Sequence, residues 1–413
     1  MFTAFSTALS ALNADSTAIN IVGNNLANLN TTGFKASTAE FHDLMSQQLG
    51  TPLASTEVGL GVAGVESVRQ YMQGAIQQTT GAFDSAIQGD GFFMVRDQNN
   101  QMLYTRAGNF TLDPTGHLVT ATGQYVQGWS ATGGVLNLGG PVGDISIPVN
   151  GVVGGSATTT MSMTVNLNAG SAVGSASNYS APIQVVDSQG GQHTLTVSFT
   201  KTATNTWTYT VTIPDADLTS PSTTPLATGS MTFSANGQLT SPAAGSPIAI
   251  KISGLADGAA NMNISWNLFN GVNSLVTQLQ QASGVSGTSQ DGTTGGQISK
   301  VGMSDGGIIV AQYSNGQQVT VGQLVLASIQ NPGSLMAVGD NNLMPTASTA
   351  PAAIGPANTG GRGEILAGSL ENSTADIATE FTNLITLQRS YQAASRVITT
   401  TDQMTQDLIG LIR

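Results

Sequence analysis

The strongest constraint in this 413-residue chain is a period of two. Met161, Met163, Val165 and Leu167 alternate with Ser162, Thr164 and Asn166; Leu195, Val197 and Phe199 alternate with Thr194, Thr196, Ser198 and Thr200. Trp207, Tyr209, Val211 and Ile213 are separated in the same way by Thr208, Thr210 and Thr212, and Met262, Ile264, Trp266 and Leu268 by Asn263, Ser265 and Asn267. Successive side chains of a strand point to opposite faces, so each run collects its apolar residues on one face and short polar ones on the other. A helix would scatter the same residues around its axis. These segments predict half-buried strands. Turn signals at Ser188-Gln189-Gly190-Gly191, Asn236-Gly237 and Asp257-Gly258 punctuate them.

Two further β regions flank this one. Phe92 to Val95, Leu103 to Arg106, Phe110 to Leu112 and Tyr125 to Trp129 are joined by polar turns at Asp97 to Asn100 and Asp113-Pro114-Thr115-Gly116. Ile308 to Tyr313, Val319 to Val321 and Leu324 to Ile329 are split by an Asn315-Gly316 hairpin turn. Gly/Ser/Thr/Ala-rich stretches at Gly151 to Thr160 and Ser283 to Gly296 read as domain boundaries.

The ends follow a different rhythm. Phe2, Phe5, Leu9, Leu12, Ile19 and Leu26 fall on a 3-4 spacing, with Ser16 and Gly23 at its weak steps. Leu384, Leu387, Tyr391, Ala394, Ile398, Leu408 and Ile412 hold the same register at the other end, through Thr401 and Thr405. Asn372, Ser373 or Thr374 is the expected cap of that second helix, with Asp376 in its first turn. An isolated helix is marginal in water, so the two ends are expected to pack on each other or on other subunits. The fold class predicted is mainly β with α-helical termini, the N- and C-terminal helices pairing as a coiled coil and two all-β domains lying outward. Nested, elongated modules follow: residues 1–30 with 372–413, connecting segments 31–70 with 355–371, a middle β domain 71–145 with 295–354, and an outer β domain 146–294.

Composition narrows the function. Only 8% of residues are charged and the net charge is −12, so few phosphates could be neutralised and nucleic acid is not an expected partner. With 40% hydrophobic residues the chain is not of the charge-driven disordered class. Cysteine is absent, which removes disulfides, thiol catalysis and thiolate metal sites. Met1 to Asn20 carries no Lys or Arg ahead of its apolar residues and does not read as a cleaved Sec signal. No run of 18 apolar residues exists to span a membrane.

Enzyme signatures fail on context. Gly59-Leu60-Gly61-Val62-Ala63-Gly64 matches a dinucleotide fingerprint but has neither the preceding strand nor the following helix, and reads as a bend into a strand. Gly302-Met303-Ser304-Asp305-Gly306 matches a nucleophile elbow but runs into Gly307-Ile308-Ile309-Val310, which is β. His42, His117 and His193 read as isolated surface or structural histidines. Asp97-Gln98-Asn99-Asn100-Gln101 lacks the glycine and glutamate of a calcium loop. No catalytic, cofactor or metal residues are expected.

The remaining motifs carry a resemblance. Asn24-Asn25-Leu26-Ala27-Asn28-Leu29-Asn30-Thr31-Thr32-Gly33-Phe34-Lys35 resembles the amino-terminal signature of the bacterial flagellar rod and hook proteins. Leu387-Gln388-Arg389-Ser390-Tyr391-Gln392-Ala393-Ala394-Ser395-Arg396 is similar to the carboxy-terminal helix of that family. Ala86-Ile87-Gln88-Gly89-Asp90-Gly91-Phe92-Phe93 and Tyr104-Thr105-Arg106-Ala107-Gly108-Asn109-Phe110 resemble its middle domain. Residues 146–294 match no motif.

What the resemblance implies is a structural subunit that polymerises into the flagellar hook, the curved tube passing torque from rod to filament. A distal rod subunit is the alternative, and an extracellular β-rich adhesin or coat protein a more remote one. The implied partners are the chain itself in an open helical homopolymer, the distal rod, hook cap, hook–filament junction proteins and flagellar export apparatus. The implied location is extracellular, reached by flagellar export. The stripe residues above, with Asn24, Asn25, Asn28, Gly33, Phe34, Lys35, Gln388, Arg389 and Gln392, are the expected assembly residues. Thr/Ser/Asn strand faces would slide against neighbours as the tube bends.

Overall fold

The computed structural model describes residues 2–44, 47–49, 56–148, 151–174, 179–221 and 224–411. Helix α1 spans Phe2–Ala27 and helix α2 spans Ile377–Leu411. The described elements between them are strands and short 3-10 turns. The protein is therefore mainly β, with two terminal helices that pack together. It divides into two compact units, one of Met1–Val149, Lys300–Ala311 and Gln318–Arg413, the other of Asn150–Ser299 and Gln312–Gln317.

In the second unit the alternating runs become two five-stranded sheets around one core. One is an antiparallel meander of Tyr179–Val186, Gln192–Ala203, Thr206–Thr212, Ala227–Phe233 and Leu239–Ser241. In the other, Thr160–Asn168 pairs in parallel with Met262–Asn267 and Val276–Leu279, and antiparallel with Gly284–Gln290. Along Gln192–Ala203 every second side chain from His193 to Lys201 is buried, as the period-2 reading requires. Trp266 stands edge-on to Phe199 and Tyr209 of the other sheet, with ring centroids 6.3 and 5.6 Å away. The Trp207 indole N–H donates to Gln278 Oε1 at 2.7 Å. These two tryptophans are the bulkiest fully buried side chains among the described residues, so their burial contributes strongly to this core.

Tyr179–Val186, Ala227–Phe233 and Ile248–Ile252 join the sheets although the sequence reading assigned them no strand; Pro182 and Gly229 disguise two of them. Gly284–Gln290 overturns part of a boundary assignment. Its small-residue composition suggests a linker, yet Thr160–Asn168 supplies its backbone partners and makes it a strand.

In the first unit a sheet runs from Gln318–Leu324 through Tyr125–Thr132, Phe92–Arg96, Met102–Thr105 and Asn342–Met344 to Met336–Gly339. Phe92, Met94, Tyr104, Trp129, Val325, Ala327 and Leu343 fill its core. Shorter ladders bring distant segments side by side. Glu364–Ala367 pairs with Ser85–Gln88, Ser369–Glu371 with Ile76–Gln78, and Ser37–Glu40 with Glu66–Arg69.

Candidate assembly site at the paired termini

The helices run antiparallel. Ala4, Ala8 and Ala11 of α1 share a groove with Ala394 and Val397 of α2, while Val22, at the other end of α1, shares one with Glu380, Asn383 and Leu387. The buried face of α1 carries Ala8, Ala14, Asp15, Ala18, Val22 and Asn25. It lies about 100° round the helix from the Phe5, Leu9, Leu12 stripe, mostly one residue earlier in the chain. Alanines let two helix backbones approach closely, so the small face is the one that meets α2. Phe5 and Leu9 remain 41% and 44% exposed, and Leu12, Ile19 and Leu26 are half-buried. On α2 the expected register is only partly covered. Leu384, Leu387, Ala394 and Ile398 are half-buried and Thr401 is buried, whereas Gln388, Arg389 and Gln392 are exposed and Tyr391 is 38% exposed. A second apolar row, Ile377, Phe381 and Ile385, faces solvent. The side chains of Phe2 and Leu408, and Ile412 altogether, lie outside the described residues.

Polar contacts fasten the ends. Asn25, almost fully buried, donates from Nδ2 to the Ser37 carbonyl at 2.7 Å and to Glu380 Oε1 at 3.0 Å, and accepts from the Ser37 N–H at 3.0 Å. Burial holds the Glu380 carboxyl above its ordinary range against the opposing Asn25 hydrogen bond. Asn28 closes the end of α1 through Nδ2 on the Asn24 carbonyl at 2.9 Å. Asp376, and not the earlier Asn372, Ser373 or Thr374, caps α2 by accepting the Thr379 N–H at 2.8 Å. Thr374 instead accepts the Ala36 N–H at 2.9 Å and so ties the two termini together.

Next to this lies a buried ionic node. Lys35 Nζ reaches Glu371 Oε1 at 2.6 Å and the Met72 carbonyl at 2.6 Å. Arg106 Nη1 stands 3.4 Å from Glu371 Oε2, and its Nη2 donates to the Gly89 carbonyl at 2.8 Å. Glu371 also accepts the Gly74 N–H at 2.8 Å, and its backbone carbonyl accepts the Gly33 N–H at 2.7 Å. Burial lowers the pKa of Lys35 and Arg106 alike, with Glu371 pulling both back up. Gly33 adopts φ +67°, and a β-carbon there would stand 2.6 Å from the Arg106 carbonyl carbon. Phe34 is buried beside it.

Four family descriptions match the chain. Residues 5–35 match the flagella basal body rod protein, 86–168 the flagellar hook protein FlgE/F/G D1 domain, 156–293 the flagellar basal body protein FlaE D2 domain, and 366–411 the flagellar basal body rod FlgEFG protein C-terminal region. The flagellar hook protein FlgE of Escherichia coli is 34% identical, over 99% of this chain and 100% of its own length. The chain belongs to the flagellar hook protein FlgE family. FlgE of Borreliella burgdorferi is 31% identical over 98% of both chains. The crystal structure of Helicobacter pylori FlgE2 shares the fold, with a TM-score of 0.52 at 17% identity over 72% of this chain and 100% of that one. The FlgE family is a structural family and not an enzyme family, and this chain is a hook subunit.

Three of the FlgE-family segments converge on one carboxylate. Lys35 ends the first match, Arg106 lies within the second and Glu371 within the last. The sequence points to Lys35, and to Thr374 only as a helix cap, but not to Glu371 or Glu380. In a chain so poor in charge, a cation inside a Gly-Phe-Lys motif was the available signal that a carboxylate meets it. Among the described residues no helix is long and apolar enough to cross a membrane.

Proposed function

We propose that the exposed apolar rows on the paired helices are the surfaces through which copies of this chain stack into the tube. The observation that carries the reading is the exposure of Phe5 and Leu9 on α1 and of Phe381 and Ile385 on α2, at 41–51%, while the alanine face of α1 is already used within the chain. Large apolar rows left uncovered on a helix mark an interaction surface. A single heterologous contact repeated with a rotation that does not close generates an open helical polymer. In this reading Gln388, Arg389, Tyr391 and Gln392 border the same contact. The further division into inner helices, connecting segments, middle domain and outer domain, with the boundaries given above, belongs to the same proposal.

The finer setting is proposed on family grounds. The polymer would bridge the distal rod and the hook–filament junction proteins, grow beneath a hook cap, and receive subunits from the flagellar export apparatus outside the cell. Terminal helices with narrow faces are stable only when packed, which suits export as unfolded chain. The test is electron microscopy of the purified full chain, wild type beside Phe5→Glu/Leu9→Glu and Phe381→Glu/Ile385→Glu. Wild type is expected to form tubes, and both variants to remain folded monomers. Tubes from either variant would overturn the reading.

A further inference from the structure

We infer that His193, carrying a proton on both ring nitrogens, pins three loops of the second unit together, so that this unit is a pH-dependent clasp. The sequence reading treats His193 as isolated; the fold corrects this. Asp187 follows the Tyr179–Val186 strand, His193 opens the next strand, Asp217 ends the 3-10 turn Asp215–Asp217, and Asp257 lies in the turn before Gly258. His193 Nε2 stands 2.9 Å from Asp187 Oδ2 and 3.4 Å from Asp257 Oδ2, while Nδ1 stands 3.3 Å from Asp217 Oδ2. These carboxylates, one from each loop, are the charged groups facing the ring. Both His193 and Asp187 are buried.

The ring geometry selects the protonation state. A neutral imidazole has one N–H and one lone pair, so it would turn a lone pair toward a carboxylate on one side. With carboxylates on both sides, only the imidazolium turns an N–H toward each; the Nε2 N–H bonds Asp187, whereas Asp217 and Asp257 are held by charge at 3.3 and 3.4 Å without hydrogen-bond geometry. Asp187 has its own reason to stay ionised, because its Oδ1 accepts the N–H groups of Gln189 at 2.6 Å and Gly191 at 2.9 Å. Burial opposes its charge, but the hydrogen bonds from its neighbours bring its pKa down to about 2. Burial likewise opposes the charge on His193, and the Asp187 and Asp217 carboxylates outweigh it and raise its pKa.

Other ties also join these loops, among them the Leu218–Leu255 bridge and the Thr219 hydroxyl on the Gly254 carbonyl at 2.6 Å. Thr219 N–H donates to the Gly254 carbonyl at 2.8 Å, Ala256 N–H to the Asp217 carbonyl at 3.0 Å, and Ala260 N–H to Ser188 Oγ at 3.0 Å. Deprotonating the ring would leave three carboxylates facing one another without a counter-charge. A group whose pKa is raised by folding contributes stability that is complete below its unfolded value, about 6.5, and disappears as pH rises through the folded value. The clasp is thus closed in mild acid and weakened in base.

The experiment is a titration of the imidazole signals of the full chain in the presence of EDTA, which prevents a divalent cation from replacing the proton. A His42→Gln/His117→Gln background leaves His193 alone. Its proton is expected to dissociate with a constant at least about tenfold smaller than that of an ordinary histidine. The thermal midpoint of the full chain should fall between about pH 6 and pH 9, and His193→Gln should flatten that fall. Asp217→Asn serves if His193→Gln does not fold, and should weaken the proton affinity of His193 severalfold. An ordinary or lowered affinity, or a pH slope untouched by His193→Gln, would overturn the inference. So would an unchanged affinity in Asp217→Asn.

Discussion

Lys35 and Glu371 stand 336 positions apart in the chain, and their side chains meet at 2.6 Å with relative exposures of 4% and 0%. Arg106 closes the other side of the same carboxylate. Burying charges is costly, and the arrangement holds only because Glu371 is shared between two cations and the Gly74 N–H. Glu371→Gln leaves two cations without their counter-charge and should cost about 3–5 kcal/mol. Denaturant unfolding of the full chain measures this. A loss under about 1 kcal/mol would show that the node is incidental.

Gly33 is a second point where the termini depend on one atom. Its φ of +67° and the 2.6 Å approach to Arg106 leave no room for a β-carbon. Gly33→Ala should destabilise the first unit by about 1–3 kcal/mol, whereas Gly23→Ala, which meets nothing within 4 Å, should be neutral or stabilising by up to about 1 kcal/mol as a helical substitution. Equal melting temperatures for the two variants would contradict the geometry.

Glu380 predicts a pH dependence of opposite origin. Burial raises its pKa above the unfolded value, so the native state binds the proton more tightly than the unfolded chain. Stability is therefore lost as pH rises from the unfolded carboxylate value toward the folded one, and is unaffected by this group below both. Glu380→Gln retains an acceptor for Asn25 Nδ2 and removes the ionisation. It should raise stability at pH 7 and change it little at pH 4; a loss at pH 7 would refute the argument.

Asn25→Leu removes the link between α1, Ser37 and Glu380. The Ser37 N–H and the Glu380 carboxylate would then be buried without their partner, at a cost of about 1–3 kcal/mol. Amide exchange at Ser37 is the direct readout, and protection equal to wild type is the outcome that contradicts it.

The strand faces offer a functional test. Thr196 pairs with Thr212 and Ser198 with Thr210 on the polar side of the meander. Thr196→Asp or Thr210→Asp should alter stability by no more than about 0.5–1 kcal/mol, yet change the curvature of assembled hooks if these faces slide on neighbours. Hooks of wild-type curvature and full motility in both variants would remove the sliding proposal.

The distance between what was legible and what was not follows the range of each interaction. Alternation along 194–200 and 207–213 settles which side chains of those strands enter the core, because period two is a property of the strand itself. The 3-4 spacing likewise marks both ends as helical, and the family motifs mark the chain as a hook-type subunit. Glu371 is one acid among 23 Asp and Glu residues, and nothing beside it announces that Lys35 and Arg106 will converge there. The histidine clasp is equally silent, since Asp217 and Asp257 reach His193 only after two sheets have stacked. The helix faces show the same limit: α1 carries an alanine row and a large apolar row at the same spacing, and spacing cannot rank them. By itself the sequence determined the two terminal helices and the apolar face of the strictly alternating strands, which are local consequences of backbone geometry. Only the tertiary structure decided that the alanine row meets α2 while Phe5 and Leu9 stay exposed, because close backbone approach favours the smaller side chains.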